Sequence, residues 1–339
     1  MDAEVAPTTV LENVTAPVAD ELRCVSEIVE HALRPERPDL ADMLAHVGSF
    51  RGKQLRPALV LLVAKALGRL TDEHLEVAAI VEMIHVATLV HDDILDGADV
   101  RRNLATINAL HGPDVSVLLG DYIYAKAFWK SVSLPDQRCS RLLAEVTRVI
   151  CQGEITQTMG RWDLELAEDT YFDVIGQKTA ALYGASSELG AAYAGASDVV
   201  VSNMRDFGYN LGLAFQIIDD CLDVEGDEEV AGKSLGTDFG KGKLTLPFLW
   251  VLRALDESGK QRFAEIFRAG QNGHRKGDCH DTRSERLAAE FDVQGGLAYA
   301  HERADGYLRA ALSSLDGLQP NAYLDGLRAM ADFVLHRRK

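Results

Sequence analysis

The stretch of sequence that decides the fold is IHVATLVHDDILDGADVRRN, which spans residues 84–103. Its apolar spacing predicts a helix that ends in charged side chains. They are three carboxylates and two arginines, namely Asp92, Asp93, Asp96, Arg101 and Arg102. Asp92 and Asp96 stand four residues apart and therefore share a helix face. Because carboxylates at a helix C-terminus oppose the helix dipole, the cluster favours a bound cation over a solvated acidic helix end. Carboxylate oxygens are hard ligands, which indicates Mg²⁺ or Ca²⁺.

The same layout recurs at residues 207–223, FGYNLGLAFQIIDDCLD. Another apolar helix is predicted there, and its polar end carries one amide and three carboxylates: Gln216, Asp219, Asp220 and Asp223. The glycine-rich segments that follow contain three lysines: Lys233, Lys241 and Lys243. An acidic helix end followed by a basic segment thus occurs twice, which is a much more specific signal than one occurrence.

Two further basic segments lie at or inside apolar helices. The sequence GKQLRP at 52–57 places Lys53 and Arg56 three residues apart, beside a glycine and a predicted helix start. Cations next to free backbone N–H groups commonly bind phosphate, and a solvated basic loop is the alternative. Lys178 and Thr179 fall inside a mostly apolar helix. This indicates either a buried anion or a lysine whose charged end reaches solvent.

The composition restricts the kinds of partner. The 339 residues include 35 basic and 52 acidic side chains, which gives a formal net charge of −17, and 47% of them are apolar. So acidic a chain is a poor partner for nucleic acid. The five cysteines form no CxxC pair, so we expect reduced thiols in a cytoplasmic protein. We expect neither a targeting peptide nor a membrane span, because no apolar run is long enough.

The distribution of apolar residues, prolines and glycines predicts an all-α chain. Residues 1–17, which include Pro7 and Pro17, are predicted to be a flexible tail, and residues 18–339 a single helical domain. Residues 269–284 are polar and glycine-rich, and we expect a surface loop there.

Two carboxylate clusters and several separate cations imply a ligand that binds both. A diphosphate bridged through Mg²⁺ fits, because Mg²⁺ combines carboxylates with phosphate oxygens. If the apolar helices surround these groups, the site is a hydrophobic shaft beneath a charged mouth. The substrate is then a hydrocarbon with a diphosphate head. Cations that stabilise the leaving diphosphate favour ionisation of such a substrate to a carbocation.

The motifs and their order resemble those of the trans-isoprenyl diphosphate synthases, the polyprenyl synthetase family. The resemblance covers the chain from about residue 20 to its end. It rests on GKxxRP at 52–57, DDxxD followed by RR at 92–102, KT at 178–179, QxxDDxxD at 216–223, and the lysines after them. The family often has glycine where this chain has Arg51, which loosens the turn expected before Lys53.

The resemblance implies an all-α isoprenoid synthase fold, in which antiparallel helices surround a central hydrophobic cavity, and a homodimer. It implies sequential head-to-tail condensation of isopentenyl diphosphate onto an allylic diphosphate, either farnesyl or geranylgeranyl diphosphate. Three Mg²⁺ ions per active site would assist the ionisation. The released diphosphate would accept the proton, so no protein side chain is assigned as a general base. The product would leave with at most transient contact with a membrane.

The resemblance also assigns roles to individual residues. The Mg²⁺ ligands would be six carboxylates: Asp92, Asp93, Asp96, Asp219, Asp220 and Asp223. The allylic diphosphate would contact Arg101, Lys178, Thr179, Gln216, Lys233 and Lys243. The isopentenyl diphosphate would contact Lys53, Arg56, His85 and Arg102. The catalytic set is Asp92, Asp96, Arg101, Lys178, Asp219 and Lys233. The last three residues, Arg337, Arg338 and Lys339, either close over the isopentenyl site or form a basic tail.

The resemblance also bears on product length. In the family, the residues four and five positions before the first aspartate lie beneath the allylic site. Here they are Thr88 and Ala87, both small, which predicts a long all-trans product of about C35–C50. Each helix turn toward the N-terminus lies about 5.4 Å deeper, where no aromatic residue follows. A floor formed by Phe128, Trp129 or Leu143 would shorten the product.

Four alternatives stay open at this point. A geranylgeranyl or farnesyl diphosphate synthase would have the same chemistry and a shallower shaft. A class I terpene cyclase is disfavoured by the second DDxxD motif and the complete isopentenyl site. His91 and Asp92 would fit a His-Asp metal phosphohydrolase, but only His85 lies near enough to join them. A non-catalytic subunit of a heteromeric synthase would lose an aspartate cluster, whereas this chain has both.

Overall fold

The computed structural model describes residues 14–35, 37–49, 52–225, 237–269 and 283–336. The first helices are α1 (Ala19–Ala32), α2 (Ala41–Ser49), α3 (Leu55–Ala66) and α4 (Asp72–Leu95), with 3₁₀ turns at Ala16–Val18 and Pro38–Leu40. A hairpin of β1 (Val100–Arg101) and β2 (Leu104–Ala105) leads to α5 (Ile107–His111), α6 (Pro113–Val132), α7 (Arg138–Met159) and α8 (Glu168–Ile175). A π-helical segment (Gly176–Ala180) continues α8 into α9 (Ala181–Tyr193), and α10 (Asp198–Glu225) follows. The rest are α11 (Thr237–Gly240), α12 (Leu246–Ala254), α13 (Glu257–Arg268), α14 (Arg283–Glu290), α15 (Val293–Ser313) and α16 (Ala322–Leu335).

The predicted all-α fold is confirmed, and the long helices surround α3. That helix is buried on nearly every side from Pro57 to Ala64 and packs against α4, α9 and α16. Helix α10 lies between α9 and α15, and α4 runs along α6. The chain directions alternate: His91 of α4 lies 3.2 Å from the Val117 carbonyl, near the start of α6. No described helix is long and apolar enough to cross a membrane.

The start of α4 is fixed by a reciprocal cap between Thr71 and His74. The backbone N–H of Thr71 donates to Nδ1 of His74 over 3.0 Å. The side chain of Thr71 in turn accepts from the first turn of the helix. Such a cap satisfies backbone donors that a helix start otherwise leaves without partners. It determines where a helix of 24 residues begins, and therefore which residues reach its far end.

Two predicted boundaries differ from the structure. The predicted tail, 1–17, extends too far: Val14 and Val18 are buried in the core, and Lys65 donates to the Pro17 carbonyl over 3.3 Å. Residues 1–13 lie outside the described ranges. Most of the predicted loop 269–284 lies outside them too, and its end belongs to α14, which begins at Arg283.

Close contact between α9 and α10 depends on a glycine. A Cβ at Gly208 would collide with the carbonyl oxygen of Tyr183 and lie 2.5 Å from Oγ of Ser187. We expect Gly208→Ala to lower the free energy of unfolding by about 2 kcal/mol, since backbone cannot yield as a flexible side chain does. Gly48→Ala is the control: a Cβ there meets nothing within 4 Å, and we expect a gain of about 0.5 kcal/mol. Denaturant unfolding measures both, and equal stabilities would contradict this close packing.

Candidate active site

The far end of α4 divides its three carboxylates into two groups. Asp93 is buried, accepts a hydrogen bond from Nε of Arg101 over 2.9 Å, and forms an ion pair with its Nη2 at 2.8 Å. Burial raises the pKa of Asp93, and Arg101 counteracts that shift. Asp92 and Asp96 lie on the partly exposed face. Asp93 therefore orients Arg101, while Asp92 and Asp96 remain available to a ligand. That Asp93 also binds Mg²⁺ stays a prediction.

The two arginines of this segment are directed apart by the β1–β2 hairpin. Its turn consists of Arg102 with φ +50° and Asn103 with φ +63°, which is the pattern of a type I′ turn. Asparagine is common in that region, whereas arginine is strained there. Arg101 points to Asp93, and the guanidinium of Arg102 lies against Gly52, where a Cβ would come within 2.6 Å of Nη2. The glycine before Lys53 thus makes room for Arg102.

Asp96 is surrounded by three cations from two other parts of the chain. Lys243 lies 2.9 Å from it, Arg161 3.1 Å and Lys241 3.8 Å. Burial opposes ionisation of Asp96, but the charges of Lys243 and Lys241 outweigh it and lower its pKa. Asp96 is therefore held as a carboxylate in a strongly positive environment.

Lys178 occupies the π-helical segment and faces the same site. Its ammonium forms an ion pair with Glu154, donates to Gln157 over 3.2 Å and lies 3.9 Å from Asp92. Burial opposes its charge, but Asp92 and Glu154 raise its pKa, so it stays charged. π-helical turns often occur at functional sites, because the extra residue redirects side chains. Of the two readings of the sequence, the structure supports a buried anionic partner over a lysine that reaches solvent.

The far end of α10 divides its carboxylates in a similar way. Asp220 is buried and accepts from Tyr171 over 2.6 Å and from Gln216 over 2.8 Å. Burial raises the pKa of Asp220 to about 8. Thr179 donates to the amide oxygen of Gln216 over 2.8 Å. Asp219, by contrast, is only partly buried. The buried network therefore fixes the helix end that presents Asp219, and a metal role for Asp220 stays a prediction.

The ends of α4 and α10 meet across the lysine segment. Lys243 lies 2.9 Å from Asp96 and 3.4 Å from Asp238. The backbone N–H of Asp238 donates over 3.1 Å to the buried carboxylate of Asp223. A continuous chain of charged contacts thus runs from one predicted aspartate cluster to the other.

A second positive cluster lies about two turns before Asp92 on α4. His85, Arg56 and Arg102 lie close enough that burial, then the charges of the arginines, hold the pKa of His85 well below its usual range. The imidazole is therefore neutral. Glu82, one turn earlier, is buried beside the same arginines, and burial raises its pKa.

Two cations of this cluster rest on aromatic rings. The guanidinium carbon of Arg56 lies 4.4 Å from the ring centre of Tyr183, and Nζ of Lys53 lies 5.4 Å from that of Phe333. Cation–π contacts of this kind hold a charge in place without neutralising it. The four residues predicted to bind isopentenyl diphosphate therefore lie near the start of α3. One of them, His85, is on α4, the helix that also carries the first aspartate cluster.

The donor set fits Mg²⁺. Asp92 and Asp96 at the end of α4 and Asp219 at the end of α10 provide partly exposed carboxylate oxygens. Within the described ranges no three histidine, cysteine, aspartate or glutamate side chains converge on one point. Mg²⁺ is commonly held by one or two carboxylates together with phosphates of the substrate, so a dispersed set of this kind suits it.

The residues predicted to set product length lie between the two clusters. Thr88 is partly exposed on the stripe that carries His85 and Asp92, and its hydroxyl donates to the His85 carbonyl over 2.7 Å. Ala87 is fully buried. Trp129 is 70% exposed on the outer side of α6, so it does not form a floor within this chain.

Some residues fall outside what the structure describes, and others were not predicted. Lys233, Arg51 and the three C-terminal residues 337–339 lie outside the described ranges. The contacts of the site also involve Glu154, Gln157, Arg161, Tyr171 and Asp238, to which the sequence analysis assigned no role. Glu154 and Gln157 were detectable as polar residues three apart on a helix face, but Arg161 follows the end of its helix and carries no pattern.

The helical protein thus has two aspartate helix ends linked through Lys243 and Asp238, and a separate arginine–histidine cluster. The polyprenyl synthetase family model matches residues 37–281, and the chain belongs to this family of prenyltransferases. Octaprenyl diphosphate synthase of Escherichia coli (strain K12) is 32% identical over 96% of this chain and 99% of its own. A short chain isoprenyl diphosphate synthase of Methanothermobacter thermautotrophicus is 33% identical over 94% and 98%. The crystal structure of a decaprenyl diphosphate synthase from Rhodobacter capsulatus has a TM-score of 0.87 and 33% identity, over 97% of this chain and 99% of that one.

Proposed function

We propose that this chain is a polyprenyl diphosphate synthase, which adds isopentenyl diphosphate units head to tail to an allylic diphosphate. One observation supports this most strongly. The aspartate ends of α4 and α10 are linked through Lys243, which lies 2.9 Å from Asp96 and 3.4 Å from Asp238, and the backbone N–H of Asp238 donates over 3.1 Å to Asp223 of α10. A site with carboxylates and cations in alternation suits a diphosphate that is bridged by metal ions.

Asp92, Asp96 and Asp219 would hold the three Mg²⁺ ions, which would neutralise charge on the leaving diphosphate of the allylic substrate. Lys178 and Lys243 bind its oxygens directly. As the C1–O bond breaks, the electron pair passes to the diphosphate, and these ammonium groups stabilise the charge that develops there. Their ion pairs with Glu154 and Asp238 keep them positioned before the substrate arrives.

The isopentenyl diphosphate binds at the second cluster, through Lys53, Arg56, His85 and Arg102. Its double bond attacks C1 of the allylic cation, a carbon–carbon bond forms, and one proton passes to the released diphosphate. His85 lies seven residues from Asp92, about 10 Å along the helix. This distance leaves room between the two diphosphates for the reacting carbon atoms of both substrates. The neutral His85 donates a hydrogen bond without adding charge.

The function is tested by incubation with labelled isopentenyl diphosphate, farnesyl diphosphate and Mg²⁺. We expect label in products that organic solvent extracts after dephosphorylation, and none after Mg²⁺ is chelated. Geranylgeranyl diphosphate in place of farnesyl diphosphate shows which primer is preferred. Absence of incorporation with either primer would refute the proposal.

We further propose a long product, of about C35–C50, because Thr88 and Ala87 are small at the depth of one turn below Asp92. A dominant C15 or C20 product would contradict this and favour the farnesyl or geranylgeranyl alternative.

Thr88→Phe is expected to shorten the product by at least one isopentenyl unit, and Ala87→Phe, where it folds, to do the same. Val86→Phe is the control for Thr88→Phe, since Val86 lies about 3 Å deeper than Thr88 and about 200° around the helix from it. Equal product lengths in all variants would place the shaft elsewhere.

We also propose a cytoplasmic homodimer that meets a membrane only transiently, when its long product leaves. The outer face of α6 exposes Leu118 at 68%, Trp129 at 70% and Val132 at 54%. A second copy of this chain would cover these residues, which a single chain leaves in water. Sedimentation at micromolar concentration should show twice the chain mass, and a monomer would contradict the dimer.

A further inference from the structure

We propose that Arg161 and Lys241 form an additional binding contact for the diphosphate that leaves the allylic substrate. The resemblance to the family assigns neither residue. This inference rests on the proposed function and deepens it, since it adds two cations to one of its two diphosphate sites. It concerns binding, and no bond is made or broken by either residue.

The first support is the arrangement of charge. Nη2 of Arg161 lies 3.1 Å from Asp96 and donates to the Leu95 carbonyl over 3.1 Å. Nζ of Lys241 lies 3.8 Å from the other oxygen of Asp96. With Lys243 they bring three cations to one carboxylate, while both side chains are about three quarters buried. Asp238 and Asp223 also act on Lys241, so the three cations face three carboxylates. The three cations nevertheless converge on the single carboxylate of Asp96, where a multiply charged anion would contact all of them.

The second support is the way in which Arg161 is held. Its contacts with Asp96 and Leu95 both use Nη2, and its Nε is buried with no hydrogen-bond partner among the described residues. A buried donor without a partner is unfavourable. A guanidinium presents parallel N–H groups that match two phosphate oxygens. A small rotation of the side chain would exchange the single-nitrogen contact for a paired one with a diphosphate.

The third support is that the two segments are fastened to each other. The backbone N–H of Trp162 donates to the Gly242 carbonyl over 2.8 Å. Gly242 has φ +77°, and a Cβ there would collide with the Trp162 indole. Trp162 itself has φ +66°, a strained value for a tryptophan. Strain of this kind persists only where the surroundings enforce it, and it is concentrated at functional sites. Arg161, Lys241 and Lys243 are therefore presented as one unit.

The alternative role for both cations is to neutralise Asp96 and nothing more. The two roles predict opposite effects. If Arg161 and Lys241 only neutralise Asp96, their removal leaves its carboxylate more available, and Mg²⁺ binds more tightly with no loss of diphosphate affinity. If they bind the diphosphate, their removal weakens diphosphate binding even when Mg²⁺ is saturating.

The test is calorimetric titration of inorganic diphosphate into the full chain at saturating Mg²⁺. We expect Arg161→Gln and Lys241→Gln each to weaken binding about fivefold to tenfold, and the double variant by more. Arg161→Lys keeps the charge but loses the paired geometry. Its affinity for diphosphate should therefore lie between those of wild type and Arg161→Gln. Arg148→Gln is the matched control, because it removes the same charge from an exposed ion pair with Glu145 on α7.

Steady-state kinetics supply a second readout. The KM for the allylic diphosphate should rise in the variants, while the KM for isopentenyl diphosphate stays as in wild type. Unchanged diphosphate affinity in the double variant, or tighter Mg²⁺ binding without that loss, would overturn the inference while the proposed function stands. If wild type neither binds diphosphate with Mg²⁺ nor incorporates label, the proposed function itself fails. If Arg161→Gln does not fold, the diphosphate affinities of Arg161→Lys and Lys241→Gln distinguish the two roles.

Discussion

Replacing Asp92 or Asp219 with alanine is expected to lower turnover by a factor of about 10² to 10³ or more. Each carboxylate is a partly exposed member of its cluster, whereas Asp93 and Asp220 are buried in bonds with other side chains. Under the proposed function these carboxylates would hold Mg²⁺, and without one of them the charge that develops on the leaving diphosphate would be less stabilised. The loss should appear in kcat rather than only in KM, because the charge develops in the transition state.

The stability of the Asp92→Ala protein should stay close to that of wild type although its activity falls. Removal of Asp92 relieves its repulsion with the helix dipole but takes one of two anionic partners from Lys178, so we expect little net change. Asp206→Ala is the control for Asp219, because Asp206 lies exposed on the same helix beside Arg205 and away from the site. Near-normal turnover in both Asp92→Ala and Asp219→Ala would rule out the proposed metal-assisted ionisation.

Arg102→Gly is expected to raise the KM for isopentenyl diphosphate by about 30-fold to 160-fold, with little change in the KM for the allylic substrate. The guanidinium lies in the cluster with Arg56 and His85, and an arginine–phosphate contact contributes about 2–3 kcal/mol. Glycine is chosen because Arg102 has φ +50°. Glycine adopts that conformation without strain, so the hairpin is kept and only the charged group is lost.

The neighbouring residue provides the control for Arg102. Asn103 has φ +63° in the same turn, and Asn103→Gly removes a side chain without removing a charge. We expect its kinetics and melting temperature to match those of wild type. A KM for isopentenyl diphosphate that rises equally in both variants would mean that hairpin geometry, and not the Arg102 charge, controls binding.

The helices and the two aspartate clusters were predictable because their signals are local. Apolar periodicity marks each long helix, such as α7 (Arg138–Met159) and α16 (Ala322–Leu335). The spacing Asp92–Asp96 places two carboxylates on one helix face whatever the rest of the chain does. Which aspartate of each cluster is buried could not be predicted in this way, because it depends on contacts with distant parts of the chain. Asp93 is buried because Arg101 returns to it from the hairpin, and Asp220 because Tyr171 approaches from α8.

The remaining parts of the site depend on backbone conformations that residue type does not indicate. Among the described residues, four non-glycine residues have positive φ: Gln54, Arg102, Asn103 and Trp162. Each adjoins or belongs to a segment that contributes a cation to the site. The π-helical turn that carries Lys178 is similar, since the sequence there reads as an ordinary helix. Such conformations are enforced by tertiary contacts, so a pattern along the chain does not reveal them.

The most direct test of the central claim is the ratio of diphosphate released to isopentenyl units incorporated, measured in one reaction with Mg²⁺ and farnesyl diphosphate. Each condensation breaks one allylic C1–O bond and forms one carbon–carbon bond. The ratio should therefore stay at one throughout the reaction, as label accumulates in lengthening chains. Release of diphosphate or phosphate without incorporation of label would contradict the account, since that is the behaviour of a cyclase or a phosphohydrolase.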